Sequence, residues 1–154
     1  MTGQPKPVTS RLAASFLPST AVLEMTYACN HECLFCSCPW FAPDGRFARH
    51  EEMTVEWWKK TLAKLCAMGV TQLAFTGGEP LLKPGVAELI EFASTCTGEH
   101  VKTVDGALVV EHAPPFLHLL TNGMTLTEET LDLCARHKVH VGLSLPGLAS
   151  FADH

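Results

Sequence analysis

The chain has 154 residues, 47% of them hydrophobic, and a formal net charge of -5. That is enough apolar material for one domain with a core, and the absence of any Lys/Arg run argues against nucleic acid as a partner. No apolar stretch has the length needed to span a bilayer, so a membrane partner is not expected.

Residues 1–20, rich in Pro, Ser and Thr, read as a flexible leader to a domain covering 21–154. The stretch 11-RLAASFLPSTAVL-23 imitates a signal peptide, but Ser15 and the Pro18-Ser19-Thr20 break interrupt its apolar run. Residues 21-AVLEM-25 read as a short strand, followed at once by the cysteine-rich loop 28-ACNHECLFCSCPW-40. Thr54 has the features of a helix N-cap, with Met53 and Trp58 placed as a hydrophobic staple. Val55, Trp58, Leu62 and Leu65 keep helical spacing, which predicts a helix over 54–68 stopped by Gly69.

A buried strand is expected at 70–75, then the turn 76-TGGEP-80, then a second helix over 84–96. Residues 101–111 alternate around Asp105-Gly106, a strong hairpin signal, and read as an inserted hairpin. A third core strand, 116-FLHLLT-121, runs into Asn122-Gly123. The helix predicted at 126–137 opens with a Thr125/Glu128 capping box, and a fourth strand at 139–145 ends in Pro146-Gly147. Apart from the hairpin, strand and helix alternate, which implies a parallel sheet with crossover helices. Only nine residues follow the fourth strand. The expectation is therefore a truncated α/β domain, the N-terminal part of a longer barrel or open sheet.

Seven cysteines stand at 29, 33, 36, 38, 66, 96 and 134. An odd count with four crowded together makes a poor disulfide framework, and the reducing cytoplasm fits better. Cys66, Cys96 and Cys134 fall on or beside the apolar stripes of the helices and read as small core residues. Trp57 and Trp58 read as packing, and the dispersed histidines as surface or core groups. Cys29, Cys33 and Cys36, spaced C-x3-C-x2-C, sit just past a strand's carboxyl end, where cofactors bind in parallel α/β folds. Soft thiolates suit either an iron–sulfur cluster or zinc, and the loop by itself leaves both open. A zinc-stabilised interaction domain and a plain iron–sulfur electron-transfer protein, the latter with Cys38 as fourth ligand, are the rival readings.

The combination resembles the radical S-adenosylmethionine (SAM) superfamily. It consists of Cys29-x3-Cys33-x-Phe35-Cys36 after the first strand, Gly77-Gly78-Glu79-Pro80 after the second, Thr121-Asn122-Gly123 after the third and Ser144 in the fourth. The resemblance implies a partial (β/α) barrel, of which this chain holds the first four βα units with the hairpin inserted. It implies that Cys29, Cys33 and Cys36 ligate a [4Fe-4S] cluster whose remaining iron takes the methionyl end of SAM. Phe35 is then expected against the adenine. The Gly77, Gly78, Glu79 and Pro80 turn is expected at the methionyl ammonium, and Asn122 and Ser144 near the ribose or carboxylate. Reductive cleavage of SAM to a 5′-deoxyadenosyl radical would follow, with flavodoxin or ferredoxin as electron donor and a peptide or small molecule as substrate. The general pattern is similar to the SPASM-type branch that modifies peptides, although Pro146 stands where many of those relatives carry Asp.

Overall fold

The computed structural model describes residues 18–31, 33, 36 and 51–145. The leader up to residue 17, Phe35, Cys38 and the Pro146-Gly147 turn lie outside the described residues. In chain order the elements are β1 (Thr20–Glu24), α1 (Val55–Ala67), β2 (Gln72–Thr76), α2 (Val86–Thr95), β3 (Gly98–Val104), β4 (Ala107–Ala113), β5 (Phe116–Thr121), α3 (Glu128–Arg136) and β6 (His140–Leu143). A single 3-10 turn, Pro80–Leu82, separates β2 from α2.

Strands β1, β2, β5 and β6 form one sheet in that order, every neighbouring pair parallel. Parallel neighbours need long crossovers, which α1, α2 and α3 supply. Along each strand alternate side chains share a face, and one face carries Leu23, Leu73, Phe75, Leu117 and Leu119, all buried. They join Trp58, Leu62, Cys66, Leu89, Ile90, Ala93, Leu133 and Cys134 from the helices in one apolar cluster. Each such leucine contributes roughly 1.5–3 kcal/mol when removed from water, so this layer holds the sheet in place.

The expected α/β class and parallel sheet are present, with element bounds shifted by a few residues. The first strand begins at Thr20, inside the segment assigned to the leader. Asp105 and Gly106 both adopt positive φ, at 50° and 80°, as the predicted two-residue turn requires. The hairpin is longer than 101–111, because pairing runs from Gly98↔Ala113 to Val104↔Ala107. Thr54 caps α1 as predicted, its hydroxyl accepting from the Trp57 amide at 3.3 Å. Helix α3 is capped by Thr127, which accepts from the Thr130 amide at 3.2 Å, and not by the Thr125 box. Either threonine precedes the apolar stripe, so the local pattern did not distinguish them. Of the paired tryptophans only Trp58 packs in the core; Trp57 is 61% exposed, with the Lys60 ammonium over its ring.

Helices α1 and α3 end in the same way. The amides of Gly69 and Val70 donate to Cys66 and Leu65, and those of Lys138 and Val139 donate to Ala135 and Cys134. This closure places the first residue past the cap in the left-handed region, where α1 has Gly69 at φ 91° and α3 has Lys138 at φ 55°. Lys138→Gly should therefore relieve strain and raise stability by about 0.5–1 kcal/mol, read as a higher urea midpoint at unchanged slope. A lower midpoint would show that the lysine side chain contributes more than its backbone costs.

Candidate cofactor site at the carboxyl edge

Because the four strands are parallel, their carboxyl ends lie along one edge of the sheet. The segments leaving that edge are residues 25–31 with Cys33 and Cys36, 77–83, 122–124 and 144–145. They include every predicted site residue that the structure describes. Pairing continues past the strand ends: the Met25 amide donates to the Thr76 carbonyl at 2.8 Å, and the Ser144 amide to the Thr121 carbonyl at 2.8 Å. Ser144 thus sits one residue beyond β6, where the sequence suggested a position inside the strand.

The turn after β2 is docked backbone to backbone on the base of the cysteine loop. The Gly78 amide donates to the Thr26 carbonyl at 2.9 Å, and the Glu79 amide to the Ala28 carbonyl at 2.8 Å. A Cβ on Gly78 would stand 2.2 Å from the Ala28 oxygen, and one on Gly77 would stand 2.5 Å from the Thr26 oxygen. The sequence suggested that these glycines leave room for a ligand. In the structure their missing side chains first make room for the segment that carries Cys29.

Glu79 is fully buried. Its Oε1 accepts from the Thr121 hydroxyl at 2.7 Å and the Leu81 amide at 3.1 Å, and its Oε2 accepts from the Asn122 amide at 2.8 Å. The carboxylate therefore ties the turn after β2 to the end of β5, and these donors offset the cost of burying it. Asn122 continues the connection: its Nδ2 donates to Asn30 Oδ1 at 2.7 Å, and its Oδ1 accepts from the Met124 amide at 3.0 Å. Asn30 adjoins Cys29, so the ends of β1, β2 and β5 are linked through side chains.

Sequence reasoning missed a second set of residues at the same edge. Glu52 Oε1 accepts from the Thr26 hydroxyl at 2.6 Å and the Tyr27 amide at 2.8 Å. Its Oε2 pairs with Lys83 Nζ at 2.8 Å, and the Lys83 side chain is only 7% exposed. Burial by itself would raise the Glu52 carboxyl. Hydrogen bonds from Lys83, Thr26 and Tyr27 outweigh it and hold the group below the ordinary value of 4.5. Because the folded value is the lower one, the stabilisation is complete above pH 4.5 and is lost as pH falls through the depressed folded value. Charge complementarity across 31 residues leaves no local sequence signal.

Cys29, Cys33 and Cys36 are free, half-buried thiols, and the Cys36 amide donates to the Cys33 carbonyl at 3.0 Å, placing the two on one turn. Among the described residues no three His, Cys, Asp or Glu side chains converge as they would around a single ion. Thiolates that each hold a different iron of a cluster do not need to converge on one point. A loop of three free thiols at this edge thus fits the implied group in its donor chemistry. Away from the edge, Cys66 and Cys134 are buried and Cys96 is half-buried, as expected of small core residues. Burial, with Cys96 alongside, pushes the Cys66 thiol up to about 12, so it stays protonated. The histidines are not all isolated: the His118 and His140 rings lie 5.4 Å apart on paired strands.

The Radical SAM superfamily model matches residues 23–151, and the chain belongs to that superfamily. It is 32% identical over 133 residues to the PqqA peptide cyclase of Bradyrhizobium diazoefficiens, covering 86% of this chain and 30% of that protein. It is 30% identical to the sporulation killing factor maturation protein SkfB of Bacillus subtilis, covering 90% and 29%. To the GTP 3′,8-cyclase of Chlorobaculum tepidum it is 30% identical, covering 71% and 32%. The chain thus spans about a third or less of the length of these curated relatives. Its fold is similar to the crystal structure of BtrN in complex with AdoMet and 2-DOIA, at TM-score 0.57 and 20% identity over 82% of this chain and 43% of that one. These relatives are radical SAM enzymes, peptide-modifying ones among them, and enzymes of the family use a [4Fe-4S] cluster and SAM.

The backbone docking of the turn generates a test with an internal control. Gly78→Ala should destabilise the chain by on the order of 2–3 kcal/mol, because backbone must move to admit the methyl group. Gly106→Ala, at the hairpin tip with nothing within 4 Å of the new atom, should cost only about 1 kcal/mol of left-handed strain. Equal melting temperatures for the two variants would contradict the packing described for Gly78.

Proposed function

We propose that this chain is the cofactor-binding part of a radical SAM enzyme that acts on a peptide or protein. The observation that carries the proposal is the joining of the three-thiol loop to the Gly77–Pro80 turn and to Asn122 at one sheet edge. Those elements are far apart in sequence, and hydrogen bonds within the chain bring them together.

In this reading Cys29, Cys33 and Cys36 would hold three irons of a [4Fe-4S] cluster, and Phe35 would be the partner for the adenine of SAM. The Gly77, Gly78, Glu79 and Pro80 turn meets the methionyl ammonium. Glu79 acts mainly by fixing that turn, since the described donors already engage both of its oxygens. Asn122 and Ser144, just past the ends of neighbouring strands, are then assigned to the ribose and carboxylate of SAM. When bound and reduced by one electron, the cluster would let SAM serve as a source of the 5′-deoxyadenosyl radical, with methionine as the leaving group, for hydrogen abstraction. The protein's part is to hold the three thiolates, leave one iron open and keep water from the reacting atoms.

The four parallel strands are, in the same reading, the first four βα units of a partial barrel. The electron donor is a one-electron carrier such as flavodoxin or ferredoxin. The peptide substrate class is supported by similarity to a peptide cyclase and to a maturation protein, and a small molecule is the alternative. Six free thiols among the described residues support a reducing compartment, the cytoplasm. No helix among those residues is long and apolar enough to cross a membrane.

Iron content separates the thiols into two groups. After anaerobic reconstitution the wild-type chain should hold about four iron atoms, as a cubane cluster requires. Replacement of Cys29, Cys33 or Cys36 by Ala should abolish that binding. Alanine at Cys66, Cys96 or Cys134 should leave the iron in place and cost on the order of 1–2 kcal/mol of packing. Loss of iron on removing Cys38 to the same extent would overturn the three-ligand assignment.

A further inference from the structure

Resting on that reading, we propose that the Glu52–Lys83 ion pair is a latch that closes the cysteine loop at its base and thereby positions Cys29 against the Gly77–Glu79 turn. Glu52 and Lys83 are then positioning residues for the cluster, with no contact to it required.

The covalent arrangement makes the case. The loop leaves the sheet at Thr26 and Tyr27, and Glu52 lies at its far end, 26 residues after Thr26. One carboxylate oxygen takes both the Thr26 hydroxyl and the Tyr27 amide, so a single side chain joins the two ends of the loop. Bringing the ends of so long a segment together costs chain entropy, and a charge-assisted contact at the neck offsets part of it. The other oxygen is held by Lys83, which immediately follows the 3-10 turn Pro80–Leu82. The latch thus links three points: the exit of the loop, its return, and the segment following Glu79.

Its position explains why it bears on Cys29. The Thr26 hydroxyl that donates to Glu52 also accepts from the Ala28 amide at 3.1 Å. The carbonyls of Thr26 and Ala28 are the acceptors for Gly78 and Glu79. Glu52 therefore fixes the two residues on which the glycine turn docks, and the next residue in the chain is Cys29. Lys83 is nearly buried, so removing Glu52 leaves its ammonium uncompensated, while removing Lys83 takes from the partly exposed Glu52 the donor that holds its second oxygen.

Amide hydrogen exchange at Gly78 and Glu79 in the metal-free chain reads the latch without reference to any cofactor. Lys83→Met and Glu52→Gln should each accelerate exchange at those two amides by about tenfold or more, while amides of the core strands, such as Phe75 and Leu119, keep their protection. Lys83→Arg, which preserves the charge, should restore both the protection and the iron retained after reconstitution. If Lys83→Met does not fold, Glu52→Gln, which keeps the shape of its side chain, decides the matter alone. Unchanged exchange at Gly78 and Glu79 in the folded variants overturns the latch, even if the wild type binds its cluster. A wild-type chain that binds no iron, with exchange at Gly78 and Glu79 accelerated in the variants, upholds closure of the loop base but overturns both the cluster-positioning role and the proposed function.

Discussion

The candidate site depends on one close approach, the seating of the Gly77–Glu79 turn on the backbone of Thr26–Ala28. Two amide-to-carbonyl hydrogen bonds make that contact, at 2.9 and 2.8 Å, and no side chain larger than hydrogen fits at its centre. Everything proposed for the site follows from it. The thiol loop starts from a fixed point, and the glycine turn cannot shift without moving that loop. The adjacent strand, β5, is then drawn in through Glu79. Backbone pairing of this kind is possible only because β1 and β2 are parallel neighbours whose carboxyl ends emerge side by side.

Two carboxylates share the work of holding this edge, and they are satisfied differently. Glu79, with no exposed surface, relies on a hydroxyl and two amides of its own chain. Glu52 is paired with a lysine and lies closer to solvent, its side chain 29% exposed. A buried carboxylate without donors would be costly, so each is stable only in the arrangement that delivers those donors. The two therefore report on distinct features: Glu79 on the register between the turn and β5, Glu52 on closure of the loop. Asn122 extends the first network back to Asn30, next to the first of the three thiols.

Much of the fold could be read from local pattern. Short apolar runs marked β2 and β5, the spacing of Val55, Trp58 and Leu62 marked α1, and Asp105-Gly106 marked the turn whose dihedrals the structure displays. These features are properties of short segments, and they survive without tertiary context. What remained hidden depends on partners far along the chain. The ion pair of Glu52 with Lys83, the Thr121 and Asn122 donors on Glu79 and the meeting of His118 with His140 join residues 22 to 43 positions apart. No single-chain pattern announces them. The glycines show an intermediate case: their position after a strand was legible, while the atoms that occupy the space they leave were not. Thr125 and Thr127 show the opposite limit, two equivalent capping residues from which only the packed helix selects.

In the proposed site three thiolates hold the cluster and a fourth iron stays free for SAM. Electron paramagnetic resonance of the reconstituted, dithionite-reduced chain, recorded without and with SAM, tests it most directly. A signal typical of a reduced four-iron cluster, reshaped when SAM is added, is the predicted result. A signal that SAM leaves unaltered, as a cluster with a complete set of protein ligands would give, would contradict the three-thiolate site.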